Sequence, residues 1–299
     1  MAQHRLPGPS AGLAAVTGFR ADGLRLATTG PNGNLKLWDT STPRKPTALA
    51  RLSGRHRTIA AAWNPTAAEL IATESLDASI SVWRMVGDRP PWEILHLPLP
   101  SGRFGPIAWL PDGRHLACAT SDGSISVWSI ATGAGFHQSL GEPAACLALT
   151  ASPDHTLRGI YRDGSVRRAD PVNQPGPARA PRLAGVAAAA WSAGGRWLAT
   201  AHGDGAIEVR DESLVVRWQR DVTGAGPLLL AWHDENLIVA DREAGRLLAL
   251  DDRGRPIWQT PLDREPTSLA AAGGLIAVGG CSFAPYLVDV GTGVPFSGP

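Results

Sequence analysis

Residues 107–129 read IAWLPDGRHLACATSDGSISVWS, and this stretch decides the fold. It holds three short segments of strand-forming residues, separated by the turn pairs Asp112-Gly113 and Asp122-Gly123. An Asp-Gly pair favours a tight turn because aspartate hydrogen-bonds its own backbone and glycine tolerates a positive φ. The stretch therefore predicts three antiparallel strands joined by two turns.

The same phrase recurs along the chain. Its last residue falls at positions 39, 84, 129, 170, 211, 251 and 289, which gives a repeat of 38–45 residues. A unit of this length accommodates four short strands. Segments between the copies alternate like strands too and predict a fourth, outer strand at residues 48–52, 92–97, 135–140, 215–222 and 257–262.

The third segment of the first three copies carries Leu37-Trp38-Asp39, Ser81-Val82-Trp83 and Ser126-Val127-Trp128. With the Asp-Gly turns, these motifs resemble the WD-repeat β-propeller family over nearly the whole chain. The resemblance implies an all-β protein, a single domain at residues 1–299 that forms a seven-bladed β-propeller of four-stranded antiparallel blades. The phrase at residues 245–258 drifts toward the repeat of quinoprotein-type propellers, but we predict no quinone site from a fold-level likeness alone.

Large aromatic residues end the first segment of several copies, while small residues precede them. Phe19, Trp63, Trp109, Trp191 and Trp232 are therefore expected to pack between blades, with the alanines beside a narrow central channel.

Ring closure can be predicted from a further match. Residues 5–8, Arg-Leu-Pro-Gly, resemble residues 51–54, Arg-Leu-Ser-Gly, which form the outer strand and turn before the second copy. The N-terminal strand is thus expected to close the seventh blade and to remove an exposed sheet edge. The alternative is Val294–Phe296, which is less favoured because Pro295 lacks a backbone donor.

Composition excludes several classes of function. The chain has 28 Lys+Arg and 27 Asp+Glu, a formal charge of +1, so we expect no nucleic-acid or membrane partner. Three distant cysteines without CxxC spacing indicate a reducing compartment, and we predict a cytoplasmic protein. Catalytic and phosphate-binding motifs are absent and the histidines lack metal-ligand spacing, so we predict no catalytic residue, cofactor or metal.

Family members often carry a hydrogen-bonded network within a blade, and the second copy alone has all its parts. The resemblance implies a stabilising role for these residues, which are His56, Ser75 or Thr73, Asp77 and Trp83.

The resemblance also implies a non-catalytic scaffold that holds a protein or peptide. One face is built from the connections between outer and inner strands and from the turns that carry Asp-Gly. Arginine recognises carboxylates bidentately, which suggests an acidic peptide as the ligand. The candidate partner-binding residues are Arg55, Arg57, Arg103, Phe104, Arg162, His202, Arg242 and Arg264.

Three alternatives stay open. The arginines could be solvated surface residues, since Glu142, Asp241, Glu243 and Glu265 share the face. An enzyme or enzyme subunit with a small-molecule site at the channel mouth would require His202 and several turn carboxylates to converge on one cavity.

The third alternative concerns assembly. We expect a monomer or a subunit of a hetero-complex. A partner chain covering blades four to seven would be indicated if Trp218 and Trp258 were exposed.

Overall fold

The computed structural model describes residues 15–30, 33–52, 57–87, 89–98, 105–171, 182–222, 226–280 and 286–296. These ranges form antiparallel sheets, one per blade, whose strands neighbour one another in chain order. Blades one to three comprise β1 (Ala15–Phe19), β2 (Arg25–Thr29), β3 (Leu35–Asp39) and β4 (Thr47–Leu52); β5 (Thr58–Trp63), β6 (Leu70–Ser75), β7 (Ser79–Arg84) and β8 (Trp92–Pro98); β9 (Ile107–Trp109), β10 (His115–Ala119), β11 (Ser124–Ser129) and β12 (Gly135–Ser139).

Blades four to seven follow the same order. They comprise β13 (Cys146–Ala151), β14 (Leu157–Tyr161) and β15 (Val166–Ala169); β16 (Val186–Trp191), β17 (Trp197–His202), β18 (Ala206–Asp211) and β19 (Val216–Asp221); β20 (Leu228–His233), β21 (Asn236–Asp241), β22 (Arg246–Leu250) and β23 (Pro256–Pro261); β24 (Ser268–Ala272), β25 (Leu275–Gly279) and β26 (Tyr286–Asp289).

The predicted fold of seven four-stranded antiparallel blades is confirmed. In blades four and seven the fourth position holds an isolated antiparallel bridge, formed by Ser165 with Arg182 and by Val288 with Pro295. The described residues contain one 3-10 turn, Ala193–Gly195, as their helical element. None of their helical segments has the length and apolarity needed to span a membrane.

The first strands of the blades form a closed inner ring. β1, β5, β9, β13, β16, β20 and β24 contact one another in this order, and β24 contacts β1. Glycines allow the first and last blades to meet, because a Cβ on Gly23 would lie 2.7 Å from the Cα of Gly273. Both residues have positive φ, of 72° and 57°, so a larger residue would be strained as well as crowded.

Aromatic residues at the ends of the inner strands pack between blades, as predicted. The indole N–H groups of Trp63, Trp109 and Trp232 donate to backbone carbonyls of the preceding blade, at 3.3, 2.9 and 3.0 Å. Each tryptophan also packs into an apolar cluster, and those clusters combine side chains from two adjacent blades. The core is therefore a series of interfaces between sheets.

The network predicted in the second blade is centred on Trp83, whose Nε1 donates to Thr73 Oγ1 at 2.9 Å. Ser75 does not accept this bond. Ile71 lies opposite Trp83, and along β6 Thr73 is two residues from Ile71, within reach of the indole, whereas Ser75 is four residues away. Asp77 accepts a hydrogen bond from Ser79 at 2.7 Å. His56 lies outside the described residues.

The seventh blade is joined by the C-terminal segment that the sequence disfavoured. The N–H of Asp289 donates to Val294 O at 2.9 Å, and the N–H of Phe296 donates to Leu287 O at 3.0 Å. Pro295 is tolerated because, opposite Val288, its nitrogen lies between these two hydrogen bonds. The N-terminal strand at residues 5–8 lies outside the described residues, so its role in closure stays a prediction.

We predict that Thr73→Val destabilises the protein by about 1–2 kcal/mol, because it leaves the buried Trp83 N–H without an acceptor. Urea denaturation measures the change. Thr47→Val, an identical substitution at an exposed position of β4, is the control and should leave the midpoint unchanged. Equal stability of Thr73→Val and the wild type would contradict a stabilising role for this bond.

Candidate functional site

The candidate site is the side of the ring that carries the turns between second and third strands and the connections from outer strands to the next inner strand. We call it the turn face. Antiparallel order places these two kinds of connection at the same end of every blade. Backbone hydrogen bonds join the two kinds of connection within a blade. The N–H of Leu140 donates to Gly123 O, and the N–H of Val222 donates to Gly205 O, both at 3.1 Å.

The turn carboxylates of this face are engaged with their own turns. Asp122 Oδ1 accepts from the Thr120 hydroxyl at 2.6 Å and from the Ser124 N–H at 3.0 Å. Asp163 and Asp204 likewise accept from the N–H two residues on, at 3.0 and 3.1 Å. These carboxylates stabilise their turns.

Arg57 lies at the seam between the first two blades. Its aliphatic carbons pack against Gly33, where an added Cβ would lie 2.5 Å from Arg57 Cβ. The Nε atom is buried and has no hydrogen-bond partner among the described residues. The stem of Arg57 therefore contributes to packing between blades.

Arg162 is the candidate that the structure leaves most available. It is exposed, and its side chain makes no hydrogen bond or ion pair within the described ranges. The neighbouring Asp163 is committed elsewhere: burial raises its pKa, but bonds from Ser165 and the nearby charges of Arg167 and Arg182 outweigh burial, and the pKa is lowered.

Arg167 is a buried cation that sequence reasoning missed. Its guanidinium lies 4.1 Å from the ring centroid of Tyr161 and donates to Ser165 Oγ at 2.9 Å and to Gly123 O at 3.3 Å. It ties the turn of the third blade to the fourth blade. The sequence did offer a sign of this residue's special environment: Arg167 occupies the strand position where the second and third copies have Ser81 and Ser126.

His202 is directed into the fifth blade. Its Nε2 lies 3.6 Å from Glu208 Oε2 and 3.5 Å from Thr200 Oγ1, and its side chain is only 17% exposed. Glu208 is also bonded to Arg210, which occupies the strand position that holds tryptophan in the first three blades. This polar group replaces the Trp-Thr contact, and it occupies His202 with internal partners.

Arg242 and Arg264 meet in a cleft of about 510 Å³ between the sixth and seventh blades. Arg242 is nearly buried and donates to Glu265 Oε1 at 2.6 Å and to Pro266 O at 3.0 Å. Arg264 is exposed. Glu243 also lines the cleft, which therefore presents charges of both signs.

The structure thus brings together two of the predicted partner-binding residues. Arg57, Arg162 and His202 belong to other blades and do not line the cleft. Arg55, Arg103 and Phe104 lie outside the described residues.

A buried carboxyl between the second and third blades was also missed. Glu74 is 1% exposed and accepts the N–H of Gly105 at 3.3 Å. Burial raises the pKa of Glu74 to about 8. The pKa of the neighbouring Cys118 thiol is raised as well, by burial and by the charge of Glu74. The sequence signal for this site was a glutamate, Glu74, inside an otherwise uncharged strand. The pattern of one strand does not show which residues of the next blade bury that side chain.

Cys146 and Tyr161 are two further titratable groups that are buried. Burial raises the pKa of Cys146 to about 12, and it raises that of Tyr161 too. Among the described residues, no group of three or more His, Cys, Asp or Glu side chains could hold a metal ion.

Trp218 and Trp258 are partly buried rather than exposed. Trp218 packs against the cluster of the fifth and sixth blades, and Trp258 donates its N–H to Val290 O of the seventh blade at 2.8 Å. The exposure of Trp218 and Trp258 that would have indicated a partner chain over blades four to seven is therefore not observed.

Comparison with known proteins agrees with this architecture. Residues 61–151 match the family model described as the anaphase-promoting complex subunit 4 WD40 domain. Telomerase protein component 1 of Rattus norvegicus is 24% identical over 282 residues, which cover 87% of this chain. The chain spans only 10% of that relative's length.

The class of protein follows from these observations together. Seven four-stranded blades in a closed ring, the recurring Trp and Asp-Gly motifs and the WD40 match identify the chain as a WD-repeat β-propeller. Propellers of this family typically serve as scaffolds for protein interactions.

We predict that the free energy of unfolding depends on the Glu74 proton. The unfolded chain releases it near pH 4.5 and the folded protein near pH 8, so stability is lost as pH rises between these values. Glu74→Gln should remove this loss. Relative to the wild type, the variant should gain on the order of 2–4 kcal/mol between pH 5 and pH 8.

Urea denaturation of both proteins at the two pH values measures this gain. Glu212→Gln, at a side chain 68% exposed, is the control and should follow the wild type. A Glu74→Gln variant with the same pH dependence as the wild type would show that Glu74 is ionised in the folded state.

Proposed function

We propose that this propeller is a non-catalytic scaffold that binds a protein or peptide on its turn face, and that exposed arginines there contact acidic side chains of the partner. The observation that carries the proposal is Arg162, whose guanidinium is exposed and uncommitted while Asp163 and Arg167 beside it are held internally. The planar guanidinium of an exposed arginine can pair with a carboxylate through two parallel hydrogen bonds.

The cleft between the sixth and seventh blades supports the same proposal. Glu265 and Pro266 fix the guanidinium of Arg242, so this wall of the cleft is ordered before a ligand arrives. Arg264 at its exposed edge supplies a second positive group, and Glu243 suits a basic or backbone donor of the same partner. A surface of this kind fits a protein segment better than a small molecule.

The distribution of titratable groups favours a scaffold over an enzyme. Glu74, Cys118 and Cys146 are enclosed between blades, and His202 is occupied by Glu208. An enzyme at the channel mouth would require such groups to be gathered about an accessible cavity.

Two further points of the proposal rest on indirect support. The matching family model and the relative are both named as components of assemblies, which suits a subunit of a hetero-complex. Cys118 and Cys146 are free thiols, which suits a cytoplasmic location.

We predict that Arg162→Glu combined with Arg264→Glu weakens partner binding, because each substitution places a carboxylate where a partner carboxylate should lie. Affinity capture from cells of the source organism, quantified by mass spectrometry, should show the partner reduced by about tenfold or more. Arg196→Glu with Arg217→Glu is the control pair, at side chains 68% and 55% exposed outside the turn face.

A photo-crosslinking amino acid locates the contact directly. Placed at position 162, it should crosslink to the captured partner, whereas at position 196 it should not. Equal capture by all three proteins, or crosslinking only from position 196, would contradict docking on the turn face.

A further inference from the structure

Outer strands seal the rim of the ring by a recurring contact. Trp218 in β19 covers Gly254 of the next blade, where an added Cβ would lie 2.7 Å from the indole. Trp258 in β23 covers Gly293 in the same way, at 2.5 Å. A large side chain on the outer strand of one blade thus lies over the glycine turn of the following blade.

The boundary between the first two blades lacks this cover. In β4 the equivalent position is Ala50, which lies opposite Leu37 as Trp218 lies opposite Val209, and both pairs are followed by a register shift. The glycine of the following turn is Gly87, and among the described residues no atom lies within 4 Å of the position of its missing Cβ. A methyl group stands where the fifth blade has an indole.

The boundary between the first and second blades therefore has an open cleft, whereas the boundary between the fifth and sixth blades is filled. Between the fifth and sixth blades, Trp197 and Trp218 leave a space of about 10 Å³. Between the first and second blades, Arg25 and Ala50 occupy the same register positions and leave about 600 Å³. We call this space, between Ala50 and Gly87, the rim cleft.

The rim cleft combines apolar and positively charged groups. Leu49 and Met85 line it, and Leu49 is 49% exposed. Arg20, Arg25 and Arg89 also line it, whereas Glu69 is the only carboxylate among the described lining residues.

Two of the three guanidinium groups are held in place. Arg20 pairs with Asp22 at 2.7 Å and Arg25 pairs with Asp39 at 2.8 Å, which orders them at the wall of the rim cleft. Arg89 is exposed. Asp22 and Asp39 offset the charges of Arg20 and Arg25, so Arg89 is the lining cation that complements a carboxylate of a ligand.

We propose that the rim cleft binds a segment of a protein partner in which an aromatic side chain is flanked by acidic residues. The aromatic ring takes the space that Trp218 fills at the equivalent boundary, and the acidic residues lie beside Arg89, the exposed guanidinium of the lining. This inference rests on the proposed scaffold function but uses a different surface from the turn face.

The probe is the peptide acetyl-Glu-Asp-Trp-Asp-Glu-amide, made with fluorotryptophan and titrated against the 299-residue chain by fluorine NMR. We expect saturable binding to the wild type and a loss of about tenfold or more in affinity for Ala50→Trp, because the new indole fills the rim cleft. Ala48→Trp, on the same strand but outside the lining, should bind as the wild type does.

Arg89→Glu is a second variant, at an exposed site where folding is not at risk, and it should weaken binding to a similar extent. Peptides with Ala in place of Trp, or Lys in place of the acidic residues, should not bind. No saturable binding to the wild type would overturn the inference, as would undiminished binding to both Ala50→Trp and Arg89→Glu.

Failure here is distinguishable from failure of the proposed function. Loss of the captured partner from the Arg162→Glu, Arg264→Glu protein together with no binding of the probe would overturn the rim cleft and retain the scaffold. Binding of the probe with unchanged capture by that protein would retain the rim cleft and reject the turn face.

Discussion

Every part of this protein depends on one constraint: no blade can bury both of its faces unless the ring closes. Side chains alternate across each sheet, and apolar residues of the second and third strands face both neighbours. The apolar clusters accordingly combine residues from adjacent blades. At the seam between the first and last blades, Gly23 and Gly273 allow backbones to approach where a Cβ would collide. A scaffold closed in this way presents its turns and rims in fixed positions.

In the fifth blade a charged group stands in place of the tryptophan motif. The first two blades fasten an indole to a threonine, as Trp38 does to Thr28 at 2.8 Å. The fifth blade has Arg210 at that position, and Glu208 and the Leu214 carbonyl accept its hydrogen bonds. A guanidinium between two sheets must be paired, since an unpaired buried charge is strongly unfavourable. The Glu208 carboxylate that pairs with Arg210 also lies 3.6 Å from His202 Nε2.

At the rim of the ring, side chains on the outer strands decide whether the boundary between two blades is filled or open. Outer strands are covered on one side only, so a substitution there changes the surface without breaking the ring. Where Trp218 lies over Gly254 the boundary is filled, and where Ala50 lies near Gly87 a space of about 600 Å³ remains. One blade geometry thus supports a filled boundary and an open one, and the two differ at two register positions, which hold Trp197 and Trp218 in one and Arg25 and Ala50 in the other.

The sequence by itself determined the number of blades, the position of most strands and the packing of Trp63, Trp109 and Trp232 between blades. These features follow from turns and alternation within about forty residues, and repetition makes each copy support the others. Only the tertiary structure decided that Arg162 is uncommitted while Arg242 is nearly buried, that Glu74 is enclosed, and that Val294–Phe296 pairs with β26. Those outcomes depend on which side chains from neighbouring blades meet, and no local pattern encodes contacts between residues a full repeat apart.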